Sequence, residues 1–157
     1  MAARRKSREF ALQALFSIDM LEERQEKCND QLVQDLCRMM SVPESGRDYF
    51  FDLLTGVVTH LKAIDTVIAD SSSNWKLSRM STVDRNVIRI AIYELVYRND
   101  IPHKVAINEA VDIGKKFGSE KSGAFINGIL DSVYKDFTER GQKGATHEKE
   151  TDFPEPG

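Results

Sequence analysis

The chain has 157 residues, of which 22 are Lys or Arg and 25 are Asp or Glu, for a net charge of −3; 41% are hydrophobic and 30% charged. That length suits one domain, or two small sub-bundles sharing a core, and the composition is that of a soluble globular chain. No apolar run approaches the ~18 residues of a membrane span, and the basic start MAARRKSREF lacks the apolar segment and cleavage site of a secretory signal, so a cytoplasmic location is expected.

Apolar residues recur at helical spacing nearly everywhere and no segment alternates as a strand, which predicts an all-α fold. A first helix is expected over about residues 5–22, where Ala11, Ala14, Leu15 and Ile18 form a stripe widened by Phe10 and Phe16. A second should run from about Asp30 to Met40, with Asn29 as its N-cap and Pro43 beyond its end. The third is expected to be long. Ser45 caps it, with Asp48 three residues on, and one stripe runs through Phe50, Leu53, Leu54, Val57, Val58, Leu61, Ile64 and Ile68 to the polar run Asp70-Ser71-Ser72-Ser73-Asn74.

A short turn around Trp75–Met80 leads to a capping signature at Ser81 and Asp84. The helix it opens reads Val87, Ile88, Ile90, Ala91, Ile92, Leu95 and Val96. It is apolar on most of its circumference and is expected at the centre of the C-terminal core. Asn99-Asp100-Ile101-Pro102 breaks it, and Pro102 suits the first turn of the next helix, which carries Ala106, Ile107, Ala110, Val111, Gly114 and Phe117. Gly118 is expected to be a left-handed cap, and Ser119 to cap the last helix, which carries Phe125, Ile126, Ile129, Leu130, Val133 and Phe137. Gly114 and Gly128 read as close helix contacts, because glycine inside a helix costs ~1 kcal/mol against alanine. Residues 138–157 read as a disordered tail.

Little here points to catalysis. Cys28 and Cys37 read as reduced structural thiols, and His60, His103 and His147 are scattered, which leaves no metal-ligand cluster. His60 reads as a packed histidine. There is no nucleophile motif and no glycine-rich phosphate loop, so no catalytic residue and no cofactor is assigned. Charge distribution is more informative. Residues 1–8 hold Arg4, Arg5, Lys6 and Arg8 and no acid, on a body that is otherwise acidic, a pattern suited to docking a polyanion. Arg4 and Arg8 share a helix face and repel, and cations in a first turn oppose the macrodipole; a bound phosphate relieves both penalties. The plain alternative is a solvated terminus. Lys115, Lys116, Lys121 and Phe125 surround the Gly118-Ser119 turn, and cations with a nearby aromatic ring suit single-stranded RNA; the alternative is a core Phe125 beside helix-terminal lysines. Asn108, Glu109 and Asn127 read as structural, in buried bonds or links between helices. Asp84-Arg85 could be a local ion pair or a protein-contact patch.

The segments RRKSREFALQALF, LLTGVVTH, VDRNVIRIAIYEL, DIPHKVAINEAV and KFGSEKSGAFINGIL resemble the NusB family over about residues 4–137. That resemblance implies about seven helices in two small sub-bundles sharing a core. They form one domain over residues 1–137, divided into about 4–74 and 75–137. It implies a transcription antitermination factor that binds boxA-type RNA together with NusE, a small-subunit ribosomal protein, within the RNA polymerase antitermination complex on ribosomal RNA operons. RNA-binding residues would be Arg4, Arg5, Lys6 and Arg8, with Lys121 and Phe125 from the last helix, and Asp84 falls where the family contacts NusE. Lys121 stands where some family members look acidic; a cation there should favour RNA. Family members occur as monomers and as dimers, which leaves a homodimer open. Two other readings stand beside this one: a helical protein-interaction module, and a non-catalytic RNA-binding domain related to those of ribosomal RNA methyltransferases.

Overall fold

The computed structural model describes residues 2–23, 30–72 and 76–144. Asn29, Cys28, Trp75, the Ser73-Asn74 end of the polar run, His147 and the rest of residues 145–157 lie outside the described residues, whereas residues 138–144, expected to belong to a disordered tail, continue the last helix. The described residues form seven α-helices and one 3₁₀ turn: α1 (Ala2–Glu23), α2 (Asp30–Met39), α3 (Glu44–Thr59), α4 (Leu61–Ser71), the turn Leu77–Arg79, α5 (Thr82–Tyr97), α6 (His103–Phe117) and α7 (Ser122–Gly144). No strand occurs among them. The chain divides into two compact units between Thr59 and His60, earlier than the boundary near residue 74 that the sequence suggests.

In the first unit α1 packs along α3, and α2 also rests on α3. The stripe Ala11, Leu12, Ala14, Leu15 and Ile18 meets Phe50, Leu53, Leu54 and Val57, all buried. At their N-terminal ends the two helices come very close. Ser7 Oγ donates to the Gly46 carbonyl at 2.8 Å and lies 3.0 Å from the Ala3 carbonyl. A Cβ at Gly46 would sit 2.5 Å from that hydroxyl oxygen, so only glycine permits the approach. Ser45 lies inside the first turn of α3, which starts at Glu44, and is not its cap.

The expected long third helix is two helices. α3 ends at Thr59, and His60, with φ −105° and ψ 20°, starts α4 by accepting the Ile64 N–H at 2.9 Å. The break is invisible to periodicity because the stripe stays in phase across it while serving two cores. Phe50 to Val57 fill the first unit, and Ile64 and Ile68 fill the second. The His60 ring stacks on Tyr97 at 4.1 Å, and Tyr97 stacks on Tyr93 at 5.5 Å. Burial pushes the Tyr97 phenol up.

The second unit is built around α5, which packs against α4, α6 and α7. Every residue from Asn86 to Glu94 is buried, as the apolar circumference requires. Ser81 caps the helix, its Oγ accepting the Asp84 N–H at 3.0 Å. Arg89 is buried too, and each of its three guanidinium nitrogens donates a hydrogen bond. Nε and Nη2 donate to the two Asp65 carboxylate oxygens at 2.8 and 2.9 Å, and Nη1 donates to Asn86 Oδ1 at 2.9 Å. Asp65 thereby ties α4 to α5.

Two glycines behave differently from expectation. Gly118 has φ −101° and is not left-handed; a Cβ there would strike Ser122 Oγ and the Gly114 carbonyl oxygen, so close approach explains the glycine. Gly114 does face a neighbouring helix, at the Ile126 side chain, whereas nothing lies within 4 Å of a Cβ at Gly128. The described non-glycine residue with positive φ is Ser41, at 51°, in the α2–α3 turn. Asn108 is exposed, and exposed Asn127 donates to Asp131 within α7 at 3.3 Å, so neither makes the buried link expected of it.

Removing one partner of a buried ion pair leaves the other charge uncompensated. Asp65→Ala is therefore expected to lower the unfolding free energy by about 3 kcal/mol, read from the urea midpoint, and an unchanged midpoint would show that the α4–α5 tie adds nothing.

Candidate nucleic-acid interface

The first cluster of expected contacts sits on the opening turns of α1. Its first turn contains no acidic residue, so four cations share the positive end of a helix. The structure shows how two of them are accommodated. The Arg4 guanidinium lies 4.6 Å, and that of Arg8 5.6 Å, from the centroid of the Tyr49 ring on α3. The ring's negative face offsets the repulsion between arginines four residues apart. Tyr49 carries none of the charge signals that single out the arginines, and only the packing of α1 on α3 brings it into the cluster.

The four cations differ in access. Arg8 is 2% exposed, which corrects the expectation that it reaches a ligand directly; its place is beneath the surface, against Tyr49. Arg4 and Arg5 are half-buried. Lys6 is exposed, with Nζ 3.6 Å from Glu9 Oε1. Beside it, a cavity of about 360 Å³ is lined by Ala3, Lys6, Ser7, Val42, Pro43, Ser45 and Gly46.

The second cluster belongs to the other unit, at the turn between α6 and α7. Ser122, the first residue of α7, is buried, and its Oγ accepts the Ser119 N–H at 2.9 Å. Ser119 Oγ in turn accepts the Lys121 N–H at 3.3 Å, so both serines hold the turn closed. Lys121 is exposed, and the Phe125 N–H donates to the Lys121 carbonyl at 3.1 Å. Phe125 is half-buried, which puts its ring at the edge of the core with part of its surface open. Lys116 folds over the Phe117 ring, with Nζ 5.2 Å from the centroid.

Asp84 lies elsewhere in the second unit, in the first turn of α5. It is 8% exposed, and among the described residues its Oδ1 accepts no hydrogen bond. Buried polar oxygens are nearly always satisfied, so this one is suited to a donor brought by a partner. No described group of three or more His, Cys, Asp or Glu could hold a metal ion, and no described helix is long and apolar enough to cross a membrane. The α1 cluster offers cations at a helix N-terminus, suited to phosphate, and the α6–α7 turn offers a cation beside a partly open ring, suited to an RNA backbone and a base.

Comparison with known proteins gives the same direction. The profile of the NusB family matches residues 5–135. The chain is 50% identical to the transcription antitermination protein NusB of Desulfosudis oleivorans, over 87% of this chain and 88% of that protein. It superposes on T. maritima NusB with a TM-score of 0.74 at 37% identity, covering 85% of this chain and 91% of that one. A crystal structure of the antitermination factors NusB and NusE in complex with double-stranded RNA contains a chain similar to it, with a TM-score of 0.74 and 26% identity, over 87% of this chain and 99% of that one.

The ring of Tyr49 can be tested apart from any ligand. Tyr49→Leu removes the aromatic face from both arginines and is expected to lower stability by about 1 kcal/mol at low salt, while Tyr49→Phe keeps the face and should stay within ~0.5 kcal/mol of the parent. Equal losses in the two variants, measured by urea denaturation, would mean that the arginines draw nothing from the ring.

Proposed function

The chain belongs to the NusB family, and on that premise we propose that it is a transcription antitermination factor that acts by binding RNA together with NusE, without catalysis. The observation that carries this reading is the solved NusB–NusE–RNA complex, whose NusB-like chain this one matches over nearly its whole length. We take the RNA to be a boxA-type single strand and the assembly to be the antitermination complex of RNA polymerase, which implies a cytoplasmic location.

The proposed RNA contacts lie in two clusters, one in each unit. From α1 come Arg4, Arg5 and Lys6, whose charges crowd a helix N-terminus and are relieved by phosphate. Arg8 supports them from below, through the Tyr49 ring that it shares with Arg4. From the α6–α7 turn come the exposed ammonium of Lys121 and the open edge of Phe125. A cation binds phosphate whatever the base, so these lysines and arginines set affinity and salt dependence; Phe125, stacking beneath a base, adds a term that salt does not screen. Asp84 serves NusE, its buried oxygen accepting a donor from that protein. A homodimer is the competing use of the same surfaces, and sedimentation with and without RNA separates the two states.

Each phosphate contact contributes about 0.7 to the log–log salt slope of binding to a single strand. Arg5→Glu and Lys121→Glu are each expected to reduce that slope by at least about 0.7, with far-UV circular dichroism unchanged. Phe125→Leu should weaken binding about tenfold or more while leaving the slope alone. Full affinity and full slope in both charge reversals would exclude these clusters as the RNA site.

A further inference from the structure

We propose that Lys115 is an additional phosphate-contacting residue of the α6–α7 end of the RNA site, and that Gly123 is the residue that positions it. The proposal rests on the RNA-binding reading above and names a contact and a positioning residue that it does not include.

The geometry starts at Gly123, the second residue of α7, which is buried. A Cβ at this position would lie 2.8 Å from Lys115 Cε, 2.9 Å from Cγ and 3.4 Å from Cδ. The space an alanine methyl would take is therefore filled by the aliphatic stem of a lysine from the preceding helix. Lys115 belongs to the last turn of α6, where a cation already interacts favourably with the free carbonyls of its own helix. That local preference does not require the stem to cross onto another helix. Because Cε lies against Gly123, the ammonium one bond further on is carried to the opening turn of α7.

There the charge is poorly placed for the protein alone. The first turn of α7 contains no acidic residue, and among the described residues neither Lys115 nor Lys121 forms an ion pair. Two ammonium groups near the positive end of α7 therefore have no carboxylate paired with them, whatever Lys115 gains from the carbonyls of its own helix. A phosphodiester of single-stranded RNA supplies the paired negative charge, and the stem's packing on Gly123 keeps Lys115 ordered before the RNA arrives, which lowers the entropy lost on binding. Lys116, next in sequence, is turned instead over the Phe117 ring.

The test is a salt titration of the full chain with a fluorescein-labelled boxA-type RNA, comparing Lys115→Met, Lys121→Met, Gly123→Ala and Lys104→Met. Methionine keeps most of the stem and removes the charge. Lys104, exposed in the first turn of α6, controls for loss of any surface lysine. Lys115→Met and Lys121→Met are each expected to lower the log–log slope by about 0.7, Gly123→Ala to lower it by a similar amount through displacement of the stem, and Lys104→Met to leave it unchanged. Lys115→Arg should restore the slope. A wild-type slope in Lys115→Met when Lys121→Met has lost its share overturns the proposal and leaves the RNA reading intact. A lowered slope in Lys115→Met with a wild-type slope in Gly123→Ala overturns the positioning role. Unchanged slopes in Lys115→Met, Lys121→Met and Arg5→Glu alike overturn both this proposal and the RNA reading on which it rests.

Discussion

A helix buried on every side has to satisfy its polar groups from within the protein, and α5 imposes that constraint on the second unit. Every residue from Asn86 to Glu94 is buried. Arg89 is held by a carboxylate of α4 and an amide of α5 itself, which compensates its buried charge. With α5 fixed, α6 and α7 pack against it and each other, and Gly114 allows them to approach as far as Ile126 permits. The turn between them is then closed by Ser119 and Ser122, and Lys121 projects from a rigid support. A binding group on such a support loses little freedom when a ligand arrives.

In the first unit the arginines of α1 meet the opposite problem. They lie near the positive end of the helix, and the fold sets the Tyr49 ring against two of them. In the proposed reading a phosphate chain is the ligand of this basic surface. The same reasoning separates the four residues by role. Burial removes Arg8 from direct contact and makes it a support, whereas Lys6 stays exposed beside a small cavity.

Helix identity was legible in the sequence because the apolar residues repeat at helical spacing over long stretches, and the Ser81 cap was legible because its bond is local. The division at His60 was not, since Phe50 to Ile68 keep one phase while serving two cores. Glycines show the same limit. Gly118 reads as a left-handed cap from its place after a helix, yet its backbone is extended and the reason for glycine is a serine four residues on. Of the site, the cations could be found by charge alone. Tyr49 and the path of the Lys115 stem depend on which helices become neighbours, and no local pattern encodes that.

The proposed function rests on sequence-selective RNA binding that NusE strengthens. Fluorescence anisotropy of a labelled boxA-type single strand against a scrambled strand of equal length, with and without NusE, measures it directly. The expected result is tighter binding of the boxA-type strand, with a further gain on adding NusE. Equal binding of both strands, or none of either even with NusE present, would contradict it.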